Sequence, residues 1–145
     1  MCIRDRKDTG KPNDLLEALY LILDTLEEDI KGKVADTAEI LGRVHIGEGT
    51  EVLEDTIIRG PVYIGKNCRI GPNTFIGPYT AIENNVEIRG GEILGSLIMD
   101  NAKIELAEDS RIIDSIIGAK VTVKRKTSRK RGLKLVLGET SIIEL

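Results

Sequence analysis

Few residues in this chain combine type and position in a way that could do chemistry. His45 is the only histidine, and it stands between Val44 and Ile46. If those two aliphatics face a core, the imidazole faces outward, where it could take a proton as a general base. Without a supporting motif, a solvated and idle histidine is the plainer reading. Cys68 is the second candidate; with Cys2 it forms a cysteine set too small and too widely spaced for a disulfide or metal framework. At an inward position its thiol pKa would rise, so Cys68 is expected to pack as a small hydrophobe rather than react. The third candidate is a run of cations: Lys124, Arg125, Lys126, Arg129, Lys130, Arg131 and Lys134. Such a run could grip a phosphate, an acyl-CoA or nucleic acid. No aromatic residue is interleaved to stack on bases, which disfavours nucleic acid. A solvated turn, or a patch facing the acidic surface of another subunit, is expected instead.

The elements that must position these residues keep time by six. Ile40, Ile46, Val52, Ile58, Ile64, Ile70, Ile76, Ile82 and Ile88 recur every sixth residue without a miss. Neither a helix nor a simple alternating strand has that period; it marks a hexapeptide parallel β-helix. Four residues after each comes a small, mostly β-branched residue: Val44, Thr50, Thr56, Val62, Cys68, Thr74, Thr80 and Val86. Gly49, Asp55, Asn67, Asn73, Asn85 and Gly91 follow at the third position, where a corner with positive φ would favour them. Pro61, Pro72 and Pro78 fall at corners, where a missing N–H costs no ladder bond. Three hexads make one triangular coil, so Gly49, Asn67 and Asn85 should stack in one column. After Ile88 the clock stumbles, then resumes: "ILGSLIMDNAKI" and "IIDSIIGAKVTV" repeat with an offset of 19 residues. One extra residue is expected to bulge outward near Leu106 to Asp109. Five coils from Val34 to Val123 would stand roughly 24 Å tall at about 4.8 Å per layer.

Before the clock starts, Leu15, Leu16, Leu19, Ile22, Leu23, Leu26 and Ile30 fall at helical spacing. Pro12 with Asn13 or Asp14 suits the start of a helix, and Gly32 suits its end. That helix is expected to lie across the open end of the first coil, over Val34, Ile40 and Leu41, with its remaining stripe driving self-association. The tail "LVLGETSIIEL" reads as two short strands around Gly138 that close the other end. The fold class is therefore mainly β: a parallel β-helix of about five coils, one amphipathic α-helix before it, and a short β tail after it. Composition agrees. Isoleucine and valine supply 29 of 145 residues, while 3% are aromatic and none is Trp, a balance that favours strands. A net charge of −3 points to no polyanionic partner. No apolar run approaches the roughly 20 residues that span a bilayer, and a reduced cytoplasmic setting is the expectation.

Three stretches in this order, "KDTGKPNDLLEA", "IIRGPVYIGKNCRIGPNTFIGPYTAI" and "GLKLVLGETSIIEL", resemble the C-terminal half of long-form glucose-1-phosphate thymidylyltransferases. The resemblance covers residues 7 to 145. It implies a left-handed coil and, ahead of it, a Rossmann-like catalytic domain. In that family a sugar-1-phosphate oxygen attacks the α-phosphate of a nucleoside triphosphate and expels pyrophosphate, helped by magnesium. Asp8 aligns with an aspartate that holds the metal together with a second one far upstream. Neither that upstream residue nor the family's Gly-rich phosphate loop occurs in these residues, so the chain alone is expected to be inactive. The implied division is a metal-loop remnant at 7–12, a linker helix at 13–32, the β-helix at 33–123, and a basic turn with cap strands at 124–145. Residues 1–6, "MCIRDR", match nothing in the family. One DNA reading of them coincides with a sequencing-library transposon end, and they are expected to be foreign. The expected role is oligomerisation and support of a catalytic domain in cis. Two alternatives stand beside it: a hexapeptide acyltransferase using acyl-CoA with His45 as base, and a purely structural assembly module.

Overall fold

The computed structural model describes residues 12–124, 134–136 and 142. One helix, α1 (Pro12–Asp24), leads into a solenoid of short strands. The first coil is β1 (Asp29–Ile30), β2 (Lys33–Val34) and β3 (Glu39–Leu41); the second is β4 (Val44–Ile46), β5 (Glu51–Val52) and β6 (Ile57–Arg59). The third holds β7 (Val62–Ile64), β8 (Arg69–Ile70) and β9 (Phe75–Ile76), and the fourth β10 (Thr80–Ile82), β11 (Glu87–Arg89) and β12 (Glu92–Leu94). A fifth, β13 (Leu97–Ile98), β14 (Lys103–Glu105) and β15 (Arg111–Ile113), precedes an incomplete sixth, β16 (Ile116–Ile117) and β17 (Thr122–Lys124). Each strand pairs in parallel with its counterpart one coil on, which gives three flat sheets around a common axis. The architecture is the left-handed hexapeptide β-helix that the spacing and the resemblance led us to expect.

The hexad register holds as far as Ile88. Ile46, Ile58, Ile64, Ile70, Ile76, Ile82 and Ile88 are buried in one continuous core, with Val44, Thr50, Val62, Cys68, Thr74, Thr80 and Val86 beside them. Asp55, Asn67, Asn73 and Asn85 adopt positive φ at the corners, as their types allow. The disturbance after Ile88 is larger than one extra residue. Glu87 pairs with Lys103 and Ala81 with Leu97, a coil shortened to 16 residues; the next coil, Glu92 to Arg111, takes 19. The added length sits between β14 and β15, and it does not simply bulge outward: Leu106 turns back to pack on the core.

Two further differences from expectation concern the helix and the open end. α1 stops at Asp24, not at Gly32, because Ile30 leaves the helical stripe to pair with Ile46 in β1 and β4. Gly32 is instead a corner against the next coil, where a Cβ would sit 2.4 Å from the Thr50 carbonyl oxygen. Nor does the helix cap the open end. Leu16, Leu19 and Leu23 are buried against Ala81, Leu97 and Ile116, the outward residues of the first sheet. That sheet presents an apolar column, Tyr63, Ala81, Leu97 and Ile116, in strict register across four coils. A helix of 13 residues is about 20 Å long, close to the height of those coils. Val34 and Ile40 are left half-buried at the open end and Leu41 exposed. At the far end β18 (Lys134–Val136) runs antiparallel to β17, and Ile142 bridges Ile116, so the tail does cover the last strands.

The second sheet contrasts with the first. Its outward column reads Lys33, Glu51, Arg69, Glu87, Lys103, alternating in sign at every coil. The third sheet is mixed, with Ile57, Phe75, Leu94 and Ile113 among charges.

Candidate functional site

α1 runs back along the prism, against the direction in which the coils grow. The Tyr20 hydroxyl donates to the Gly95 carbonyl at 2.6 Å, Tyr79 donates to the Asp24 carboxylate at 2.6 Å, and Arg43 donates to the carbonyls of Asp24 and Leu26. Along this seam, between the helix and the corners leading into the first sheet, an open groove of about 440 Å³ is lined by Tyr20, Asp24, Pro78, Tyr79, Leu94, Gly95, Ile113 and Asp114. The Tyr20 and Tyr79 rings meet edge to face, 5.5 Å between centroids. Tyr79 has a φ of 63°, a left-handed conformation that a bulky aromatic residue adopts only under constraint. Burial, then the charge of Asp114, pushes the Tyr20 phenol up to about 12. The hydrogen bond to Asp24, which favours the protonated phenol, raises Tyr79. Nothing in the sequence pointed to this groove, because its parts come from a helix and three separate corners.

His45 does project outward, as its neighbours required. It is not exposed there: its ring stacks on Tyr63, 4.9 Å between centroids at 15°, and its Nδ1 is buried without a hydrogen-bond partner. A histidine base is normally oriented through that second nitrogen, and His45 is not among the residues lining the groove. Cys68 is buried, donates to the Glu83 carbonyl, and has its thiol pushed up chiefly by burial. Asp8 lies outside the described residues, as does the basic run between Lys124 and Lys134. A small carboxylate cluster went unforeseen. Asp100 accepts from the Asn84 amide at 2.8 Å and its own amide donates to Glu83 at 3.2 Å; burial and the Asp100 charge raise Glu83. Among the described residues no group of histidine, cysteine and carboxylate side chains is placed to hold a metal ion.

Sixfold periodicity, triangular coils and stacked Asn corners place the protein among the hexapeptide-repeat β-helices. Residues 52–144 match the GMPPB C-terminal domain, and the chain belongs to that family. Over 139 residues it is 34% identical to a glucose-1-phosphate thymidylyltransferase of Streptomyces antibioticus, a match covering 96% of this chain and 38% of that protein. It is 34% identical over 140 residues to the low-salt glycan biosynthesis nucleotidyltransferase Agl11 of Haloferax volcanii, covering 96% and 39%. It is also 39% identical over 116 residues to a bifunctional sugar-1-phosphate nucleotidylyltransferase/acetyltransferase of Sulfurisphaera tokodaii, covering 79% and 28%. The chain thus spans less than two-fifths of the length of these relatives, and in the thymidylyltransferases it corresponds to their C-terminal part.

Proposed function

We propose that this chain is the β-helix part of a nucleotidyltransferase that makes nucleoside-diphosphate sugars, with dTTP and glucose 1-phosphate yielding dTDP-glucose and pyrophosphate. The observation that carries this reading is a match at 34% identity that extends over 96% of the chain, and so beyond the hexads alone. In this proposal the β-helix holds subunits together in a cytoplasmic homo-oligomer and supports a catalytic domain joined ahead of α1. Asp8 would hold magnesium with an aspartate of that domain, where the metal would assist attack on the α-phosphate. Asp8 itself lies outside the described residues.

A chimera tests the proposal: the catalytic part of the Streptomyces antibioticus relative joined to this chain at residue 7. The chimera should sediment as an oligomer and release pyrophosphate from dTTP and glucose 1-phosphate, while the chain alone releases none. A monomeric chimera would remove the assembly role. Pyrophosphate release by the chain alone, abolished in Asp8→Ala, would refute the division of labour. The acyltransferase reading draws on the name of the Sulfurisphaera relative and on the outward place of His45. Its sealed, unoriented Nδ1 argues against it; acetyl-CoA binding lost in His45→Ala would restore it.

A further inference from the structure

The seam groove combines features that no part of the nucleotidyl-transfer reading uses. Two carboxylates, Asp24 and Asp114, line it. Neither is in an ion pair among the described residues: the Arg43 guanidinium donates to the backbone carbonyls of Asp24 and Leu26 instead. Each carboxylate faces a phenol. Tyr79 donates to one oxygen of Asp24, and Tyr20 reaches Asp114 only at 3.4 Å because its hydroxyl is held at 2.6 Å by Gly95. The walls between them are apolar: Pro78, Leu94 and Ile113, with Ile113 exposed. Gly95 keeps the space open, since a Cβ there would sit 2.6 Å from Asp114 Oδ1 and 3.1 Å from the Tyr20 hydroxyl. The volume of about 440 Å³ lies within the range of small-ligand sites.

Charge and wall chemistry select the ligand class. Two carboxylates, neither of them in an ion pair among the described residues, disfavour an anionic ligand in this groove. Aromatic faces and carboxylates together suit a cation with an apolar body, through charge-assisted hydrogen bonds at the rim and cation–π contact on the rings. We propose that the groove between α1 and the β-helix corners binds a small organic cation, a guanidinium or ammonium on an aliphatic stem, with Asp24 and Asp114 pairing its charge and Tyr20, Tyr79 and Ile113 packing its stem. The site is independent of nucleotidyl transfer. Occupancy would tie α1 to the fourth and fifth coils, because Asp24 lies on the helix and Asp114 on the solenoid.

The test is a titration of the 145-residue chain with n-butylguanidinium, followed by the aromatic proton resonances of its three tyrosines, with neutral n-butylurea as the isosteric control. Saturable shifts of Tyr20 and Tyr79, with a dissociation constant in the millimolar range and little response to the urea, are expected. Asp114→Asn should weaken binding about tenfold. That position lies on the solenoid, so the variant leaves the helix in place. Asp24→Asn should do the same, with its melting temperature as the check that α1 remains docked. Equal shifts from the urea, no saturation by tens of millimolar, or unchanged affinity in Asp114→Asn would each overturn the proposal.

Discussion

Leu19 is the pin that holds α1 to the prism. Its side chain is fully buried, between Leu16 and Leu23 on the helix and the Ala81, Leu97 and Ile116 column beneath. Leu19→Ala removes most of that burial and leaves a cavity. Buried Leu→Ala changes cost about 2–5 kcal/mol. A helix of 13 residues is marginal by itself, so nearly all of that loss falls on docking. The core inside the coils is a separate cluster, and Leu19 is not part of it. Undocking should therefore occur as a local event below global unfolding. Native-state hydrogen exchange reads it directly. Amides within α1 should exchange about 30-fold to several thousand-fold faster in Leu19→Ala, while those of Ile64, Ile82 and Ile98 in the inner ladders keep their rates. If the coil amides sped up by the same factor, helix and solenoid would be one cooperative unit and the reasoning would fail. Unchanged exchange in α1 would be equally fatal, since it would mean that Leu19 does not hold the helix.

The register of the solenoid can be tested at Ile70, fully buried on β8: Ile70→Asp places an unpaired carboxylate in a dry core and should cost several kcal/mol, seen as a large fall in melting temperature. A wild-type melt would refute the inward assignment. Tyr20 should titrate at about 12 by absorbance, and Tyr20→Phe should remove that late component. Because its folded pKa lies above the ordinary phenol value of 10.0, its contribution to stability is complete below pH 10 and fades as pH climbs through about 12. Stability of Tyr20→Phe that fell in parallel with wild type across that window would exclude the assigned cause.

What could be read from the sequence was whatever repeated. Ile40 to Ile88 fixed the hexads, and with them the inward side of every strand and the left-handed Asn and Asp corners, because a solenoid imposes the same local problem on each coil. The misses lie where that repetition breaks. Ile30 sits at helical spacing from Leu26 and also in register with Ile46, and the pairing of β1 with β4 wins because backbone hydrogen bonds outweigh one more turn of a marginal helix. The seat of α1 did leave a trace in the sequence. Tyr63, Ala81, Leu97 and Ile116 are apolar at an outward position where the second sheet carries Glu51, Arg69, Glu87 and Lys103. The groove left none, since Tyr20, Tyr79 and Asp114 are brought together only by the docking of the helix.

The column Lys33, Glu51, Arg69, Glu87, Lys103 has a consequence for how the chain finds its own order. To the interior, one isoleucine hexad is much like the next, so the core alone cannot tell a coil laid on its true neighbour from one that has skipped a turn. The column can, because it colours successive coils in two alternating shades. Skipping one turn would set Lys33 beside Arg69, or Glu51 beside Glu87, and like charges directly opposite are destabilising by up to about 1 kcal/mol per rung. Only a skip of two turns restores the match, and that requires looping out some 36 residues of otherwise buried chain. The face that packs against nothing among the described residues would thus proofread the winding of the rest.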